Sequence, residues 1–307
     1  MSAGWVAASV RARAMTRRRL GRAAVVRLAA SPSTDAAVSA LAQTTYGRQV
    51  RVGQSLAEAQ RAVVHAVAWN VRVLAGWTPR EGVALLRVLM AVLEMANVQD
   101  HLQRLAGSEP PAPFRLGGLA TAWPRLQQTT DTRALRRALA ASPWGDPGGE
   151  TPREIGLAMR TALADRVTAA VPAAAAWAAG DTALLLAREV ALEGQVMPER
   201  ARMAASRVVG PAALSAPTIP ALVATLPANA LWSLSGVERP ADLWRAEARW
   251  WARVEKDSTA MVRKATAGPE VVVGGVGLMA VDAWRVRAAL EVAARGGVPV
   301  EAFHAVA

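Results

Sequence analysis

PEVVVGGVGLMAVDAWRVRAALEVAAR, residues 269–295, decides how the rest of the chain is read. Val272, Val276, Met279, Ala283, Val286, Leu290 and Ala293 recur at steps of three and four, so they share one face of a helix. Pro269 suits a first helical position, Gly296 and Gly297 end the helix, and Pro299 keeps it ended. Gly274, Gly275 and Gly277 cost helix propensity, which predicts a place where another backbone comes close.

Two relatives of this segment lie earlier. A helix over 55–75 and another over 79–106 are predicted to turn at Gly76. The pair 151–179 and 182–209 is predicted to turn at Gly180, with a kink at Pro172 and a distortion at Pro198. The third pair, 240–267 and 269–295, turns at Gly268. From turn glycine to terminating glycine (Gly76 to Gly107, Gly180 to Gly210, Gly268 to Gly296) the spacings are 31, 30 and 28 residues. Short turns imply antiparallel helical hairpins, and the period is too loose for an ordinary solenoid. Ser55…Glu58, Thr78…Glu81 and Thr151…Glu154 have the capping-box spacing. Thr34 or Asp35 is expected to cap a short helix ending near Tyr46-Gly47. Residues 4–30 read as one or two helices with a break at Gly21, and shorter helices are expected within 118–142, 218–226 and 228–234. Val83–Val98 is apolar on nearly every side and is expected to lie deep.

The composition agrees with an all-α chain. Apolar residues make up 52% of 307 residues, much of that alanine, and β-branched alternation is scarce. The absence of cysteine excludes disulfides, thiolate metal sites and cysteine nucleophiles. No segment has the roughly 18–20 uninterrupted apolar residues of a membrane span. The first 34 residues lack any acid and hold seven arginines. Alone they fit a mitochondrial-type presequence, but an ordinary basic helix is the preferred reading; no signal-peptide core is present. The formal charge is +12, with lysine only at 256 and 264. Such a surface suits nucleic acid, anionic lipid or an acidic protein.

Motifs for catalysis are missing. No phosphate-cradling loop, dinucleotide fingerprint or serine elbow occurs, and His65, His101 and His304 lack metal-ligand spacing. Glu94 and Glu189 each sit in an apolar helix without an acidic partner. Trp244, Trp250 and Trp251 are expected in the core or as a partner anchor. No cofactor is expected. The arginines of the N-terminus would grip phosphates, which makes an arginine-rich helical nucleic-acid-binding protein the alternative reading. Against it stand one Tyr and two Phe in the whole chain, too few for base stacking.

Trp5, Arg11, Arg13, Leu20, Leu41, Thr44, Tyr46 and Gly47 follow in order near the N-terminus. Glu94, Asn97, Leu102 and Arg104 lie on the second helix of the first hairpin. Leu234-Ser-Gly-Val and Asp242 lead into the third hairpin, and Asp282, Arg287, Gly297 and Pro299 mark the last helix. In this order and spacing the chain resembles the C subunit of A/V-type rotary ATPases and ATP synthases, the counterpart of eukaryotic V-ATPase subunit d. It departs from that pattern in the second hairpin, with Glu193-Gly-Gln195 and then Glu199 and Arg202 after Pro198. It departs again in the glycine-rich last helix.

The resemblance implies three similar helical-hairpin domains (1–115, 116–211 and 212–307) in pseudo-threefold arrangement, funnel-shaped around a central cavity. It implies a non-catalytic rotor part between the D- and F-type central shaft subunits and the membrane rotor ring of proteolipid subunits. Its place would be peripheral, at the cytoplasmic face of the membrane, with no nucleic acid among its partners. The buried polar residues then take structural roles, direct contact with the shaft being the alternative. Glu94 is expected to meet Arg11 or Arg13, Asn97 to bond backbone or another hairpin, and Asp282 and Arg287 each to reach a different element.

Overall fold

The computed structural model describes residues 3–190 and 196–297; Glu193, Gln195, Pro299 and His304 lie outside them. Among the described residues the protein is all-α, with no strand. The helices are α1 (Ala3–Thr16), α2 (Arg22–Ala29), α3 (Thr34–Ala42), α4 (Leu56–Ala75), α5 (Arg80–Leu105), α6 (Trp123–Leu126) and α7 (Thr132–Ala140). They continue with α8 (Pro152–Ala170), α9 (Ala175–Val190), α10 (Glu199–Val209), α11 (Ile219–Thr225), α12 (Ala228–Leu234), α13 (Leu243–Arg263) and α14 (Pro269–Ala294). Two compact units share the chain, one of residues 1–82 and 251–307, the other of residues 83–250. The chain passes between them inside α5 and α13, so the crossing points do not coincide with the expected boundaries at 115/116 and 211/212.

The first unit is built around α14. The predicted face is buried, and so is the opposite one, with Val271, Val273, Leu278, Val281 and Val292 also enclosed. α1, α2, α3 and α4 all pack on this helix. Its glycines admit two neighbours. A Cβ on Gly274 would stand 2.7 Å from Ser258 O of α13, and one on Gly275 would stand 3.0 Å from the Ala12 Cβ of α1. α1 also holds the turn of the last hairpin. Arg13 Nε donates to Val262 O at 3.1 Å and its terminal nitrogen to Lys264 O at 2.6 Å, where α13 leaves carbonyls without helical partners. Gly268 N donates to Ser9 Oγ at 3.0 Å just before α14 begins. Trp251 stacks on Trp284 with centroids 4.9 Å apart.

In the second unit one apolar cluster joins α5, α6, α7 and α8, around Val98, Leu126, Leu135, Leu139 and Ile155. Another joins α8 to α13, around Leu184, Val209, Leu222 and Leu234. Trp250 lies in this unit and donates its indole N–H to Trp177 O at 2.8 Å. α5 is less enclosed than expected: Ala91, Glu94, Asn97 and Val98 are buried, but Val92 is half-exposed. Leu85, Leu89, Leu93 and Met95 are only half-buried, so an apolar sequence on all sides does not mean burial all round here.

Helix starts follow their caps. Ser55 and Glu58 exchange hydrogen bonds before α4, as do Thr151 and Glu154 before α8. Ser33, rather than Thr34 or Asp35, caps α3. Thr78 donates its hydroxyl back to Leu74 O, and Glu81 accepts the indole N–H of Trp5. The second hairpin turns elsewhere than expected. α8 ends at Ala170, a 3-10 turn covers Pro172–Ala174, and Gly180-Asp181-Thr182 lie inside α9. Proline lacks the N–H and crowds the preceding turn, so it breaks the helix there. Gly180 serves packing: a Cβ would stand 2.6 Å from the Trp232 ring and 3.1 Å from that of Trp250.

Candidate functional site

Glu94 and Asn97, three residues apart on α5, face the same way, and both are fully buried. The Glu94 carboxylate accepts Thr121 N at 2.6 Å, Ala122 N at 2.8 Å and Trp144 Nε1 at 2.7 Å. Asn97 pairs reciprocally with Phe114, donating to its carbonyl at 3.0 Å and accepting its N–H at 2.6 Å. The side-chain amide thus stands in for a strand partner and fixes the loop after α5. The Arg166 guanidinium lies 5.1 Å from the Trp144 ring centre. Burial pulls its pKa down from the usual arginine value, and the nearby Glu94 charge opposes that.

The first unit repeats this construction. Asp282 on α14 is buried and accepts Leu20 N at 2.9 Å, Gly21 N at 3.0 Å and Tyr46 Oη at 2.8 Å. Gly21 is the N-cap of α2, and Ala122 is the N-cap of α6. Neither has a side-chain oxygen, so neither can cap its own helix. In both places an acid from a different element takes the cap N–H and the one before it, and sets a negative charge at the positive end of the helix.

The aromatic donors also match. Thr44 Oγ1 donates to Leu41 O and accepts Tyr46 N; Ser142 Oγ donates to Leu139 O and accepts Trp144 N. The sequences are LAQTTYG over 41–47 and LAASPWG over 139–145. Glycine closes both. A Cβ on Gly47 would stand 2.0 Å from Ala42 O, and Gly145 has φ 76°. A third stretch, ALWSLSG over 230–236, keeps the spacing and a Ser233 Oγ bond to Ala230 O, with Ser235 in the aromatic position.

Two expectations about partners are corrected. Glu94 meets backbone amides and an indole, with the Arg166 charge nearby, rather than Arg11 or Arg13. Arg13 is committed to the end of α13, and Arg11 is half-buried on α1. Arg287 is exposed, while Asp282 does reach other elements and Asn97 does bond backbone. The buried cation of α14 is Arg285, paired in a fork with Glu255 at 2.5 and 2.7 Å. Trp144, Arg166 and Glu255 escaped the sequence reading. Trp144 was findable, because it follows Ser142 at the spacing by which Tyr46 follows Thr44. Glu189, without an acidic partner in the sequence, pairs with Arg153.

Both clasp carboxylates are buried and accept hydrogen bonds from internal donors. Among the described residues no group of three or more His, Asp or Glu side chains is placed to hold a metal. No helix among them is long and apolar enough to cross a membrane. Comparison with family models and with characterised proteins finds no match for this chain.

Tyr46, the single tyrosine, reports directly on the Asp282 clasp. Its ionisation is pushed well above the usual value, first by burial, then by the Asp282 charge and the hydrogen bond to it; Arg19 pulls the other way. An unfolded tyrosine releases its proton above about pH 10, and the folded one holds it. Stability from this group is therefore complete below about pH 10 and falls as pH rises towards the folded value. Titrated by near-ultraviolet absorbance, phenolate is expected to appear only together with loss of helical circular dichroism. Phenolate formed at an ordinary pH in a still-helical protein would contradict the clasp.

Proposed function

We propose that this chain is a non-catalytic central-rotor adaptor of an A/V-type ATPase or ATP synthase, coupling the central shaft to the membrane rotor ring. The observation that carries the reading is the recurring clasp. An acid on the second arm of a hairpin seats a short helix, and a hydroxyl-x-aromatic-Gly turn completes the grip. The links run from the last hairpin to the first short-helix pair, and from the first hairpin to the second pair. Domains in cyclic arrangement would carry a third link of this kind, from the second hairpin to α11 and α12, and the two links present support that reading. The recurrence of short helices, hydroxyl turn and long helix from α2, α6 and α11 supports the same reading.

A torque-bearing adaptor needs stiffness, and clasps that replace mobile caps with buried charge-assisted bonds supply it. A basic chain suits acidic partner surfaces. In this reading the protein sits at the cytoplasmic face of the membrane, as a peripheral part of the rotor. Coexpression with D- and F-type shaft subunits and with the proteolipid ring tests it. Stoichiometric co-purification with the shaft pair is expected. Capture of nucleic acid alone, with affinity falling steeply with salt, would favour the arginine-rich nucleic-acid reading instead.

A further inference from the structure

The first unit contains a cleft of about 350 Å³ beside the Asp282 clasp. Its charged lining is Arg17, Arg19, Arg22, Arg285, Glu255 and Asp282; Thr16 and Gly21 complete it. No aromatic or large apolar side chain is among these residues, so an occupant must be strongly polar. Four guanidinium groups against two carboxylates leave the lining formally positive.

The carboxylates are already spent. Asp282 holds two backbone amides and Tyr46, and Glu255 is locked in the Arg285 fork. The Arg285 fork holds Glu255 below the usual carboxylate range, and Arg22 and Arg19 add to that pull. Arg19 gives its Nε to Thr16 O. Arg17 and Arg22 are exposed and form no ion pair among the described residues, so their forks are available to a ligand. α2 also begins here, with its N-cap Gly21 and its first residue Arg22 in the lining.

We infer that this cleft binds a compact, multiply charged phosphate anion of the di- or triphosphate class, held by the Arg17 and Arg22 forks against the rigid Arg285–Glu255 pair. Planar guanidinium forks match phosphate oxygens two at a time, which an ammonium group does not. The inference is independent of the rotor reading.

Calorimetric titration of the full chain with sodium tripolyphosphate at low ionic strength tests it. Saturable one-to-one binding is expected. The double variant Arg17→Ala/Arg22→Ala should weaken it about tenfold or more, and Arg17→Lys/Arg22→Lys at least about threefold, because charge is kept but the fork is lost. Arg27→Ala/Arg263→Ala removes equal charge from exposed positions outside the cleft and should leave affinity within about twofold. Thermal melts confirm that all three variants fold. ATP should bind like tripolyphosphate, since the lining has no platform for a base. Absence of saturable binding would overturn the inference, as would equal loss in both alanine doubles. Displacement of tripolyphosphate by an equal concentration of a glutamate-rich peptide, or a tenfold preference for ATP, would also overturn it.

Discussion

Asp282→Ala is expected to destabilise the unit formed by residues 1–82 and 251–297 by about 3–5 kcal/mol. The loss is not that of one salt bridge. The substitution orphans three donors at once, the amides of Leu20 and Gly21 and the Tyr46 hydroxyl, in a buried site. Each unsatisfied donor costs about 1–3 kcal/mol, partly offset where the α1–α2 turn relaxes towards water. Asp282→Asn should recover little, because one amide position becomes a donor facing donors. Tyr46→Phe removes a donor together with its need for a partner and should cost only about 1 kcal/mol. Urea denaturation gives the totals, and amide hydrogen exchange locates them: α2 should lose protection first. A change below about 1 kcal/mol for Asp282→Ala would refute the clasp.

Glu94→Ala should have an effect of similar size, confined to residues 83–250. Here too three donors lose their acceptor. A further cost arises because Arg166 is left as a partly buried cation without its neighbouring charge. The cost of Glu94→Ala should therefore fall by about 1 kcal/mol or more in an Arg166→Met background, a non-additivity that double-mutant cycles detect. Trp144→Phe should cost about 1–2 kcal/mol through the lost indole bond. Equal costs for Glu94→Ala with and without Arg166 would show that the cation is stabilised by other means.

Most helix boundaries were legible because local chemistry writes them. Ser55, Thr151, Pro269 and Gly296 act within one turn of their own position, so a linear reading finds them. Gly180 misled for a physical reason. A glycine that ends a helix and one that admits two tryptophans look alike in sequence, and only packing tells them apart. The acids were legible as buried polar residues, but their partners were not. A carboxylate in an apolar helix announces that it needs donors; backbone amides, which every residue carries, leave no mark. Hence the sequence pointed Glu94 to arginines that lie elsewhere, whereas the donors are Thr121 and Ala122. The two-unit division was hidden for the same reason, since it depends on α14 pairing with helices about 260 residues earlier.

The discontinuity of the first unit has a consequence for synthesis. α1 to α4 leave the ribosome before residues 83–250, and the helix they surround is made after them. At roughly 5–20 residues per second, the wait between residues 82 and 294 lasts on the order of ten to forty seconds. During that interval residues 83–250 have all their own core and can fold, whereas the faces of α1, α2, α3 and α4 that pack on α14 have nothing to close on. The nascent chain therefore carries these helices exposed until α14 emerges, and chaperone capture should concentrate on residues 3–75.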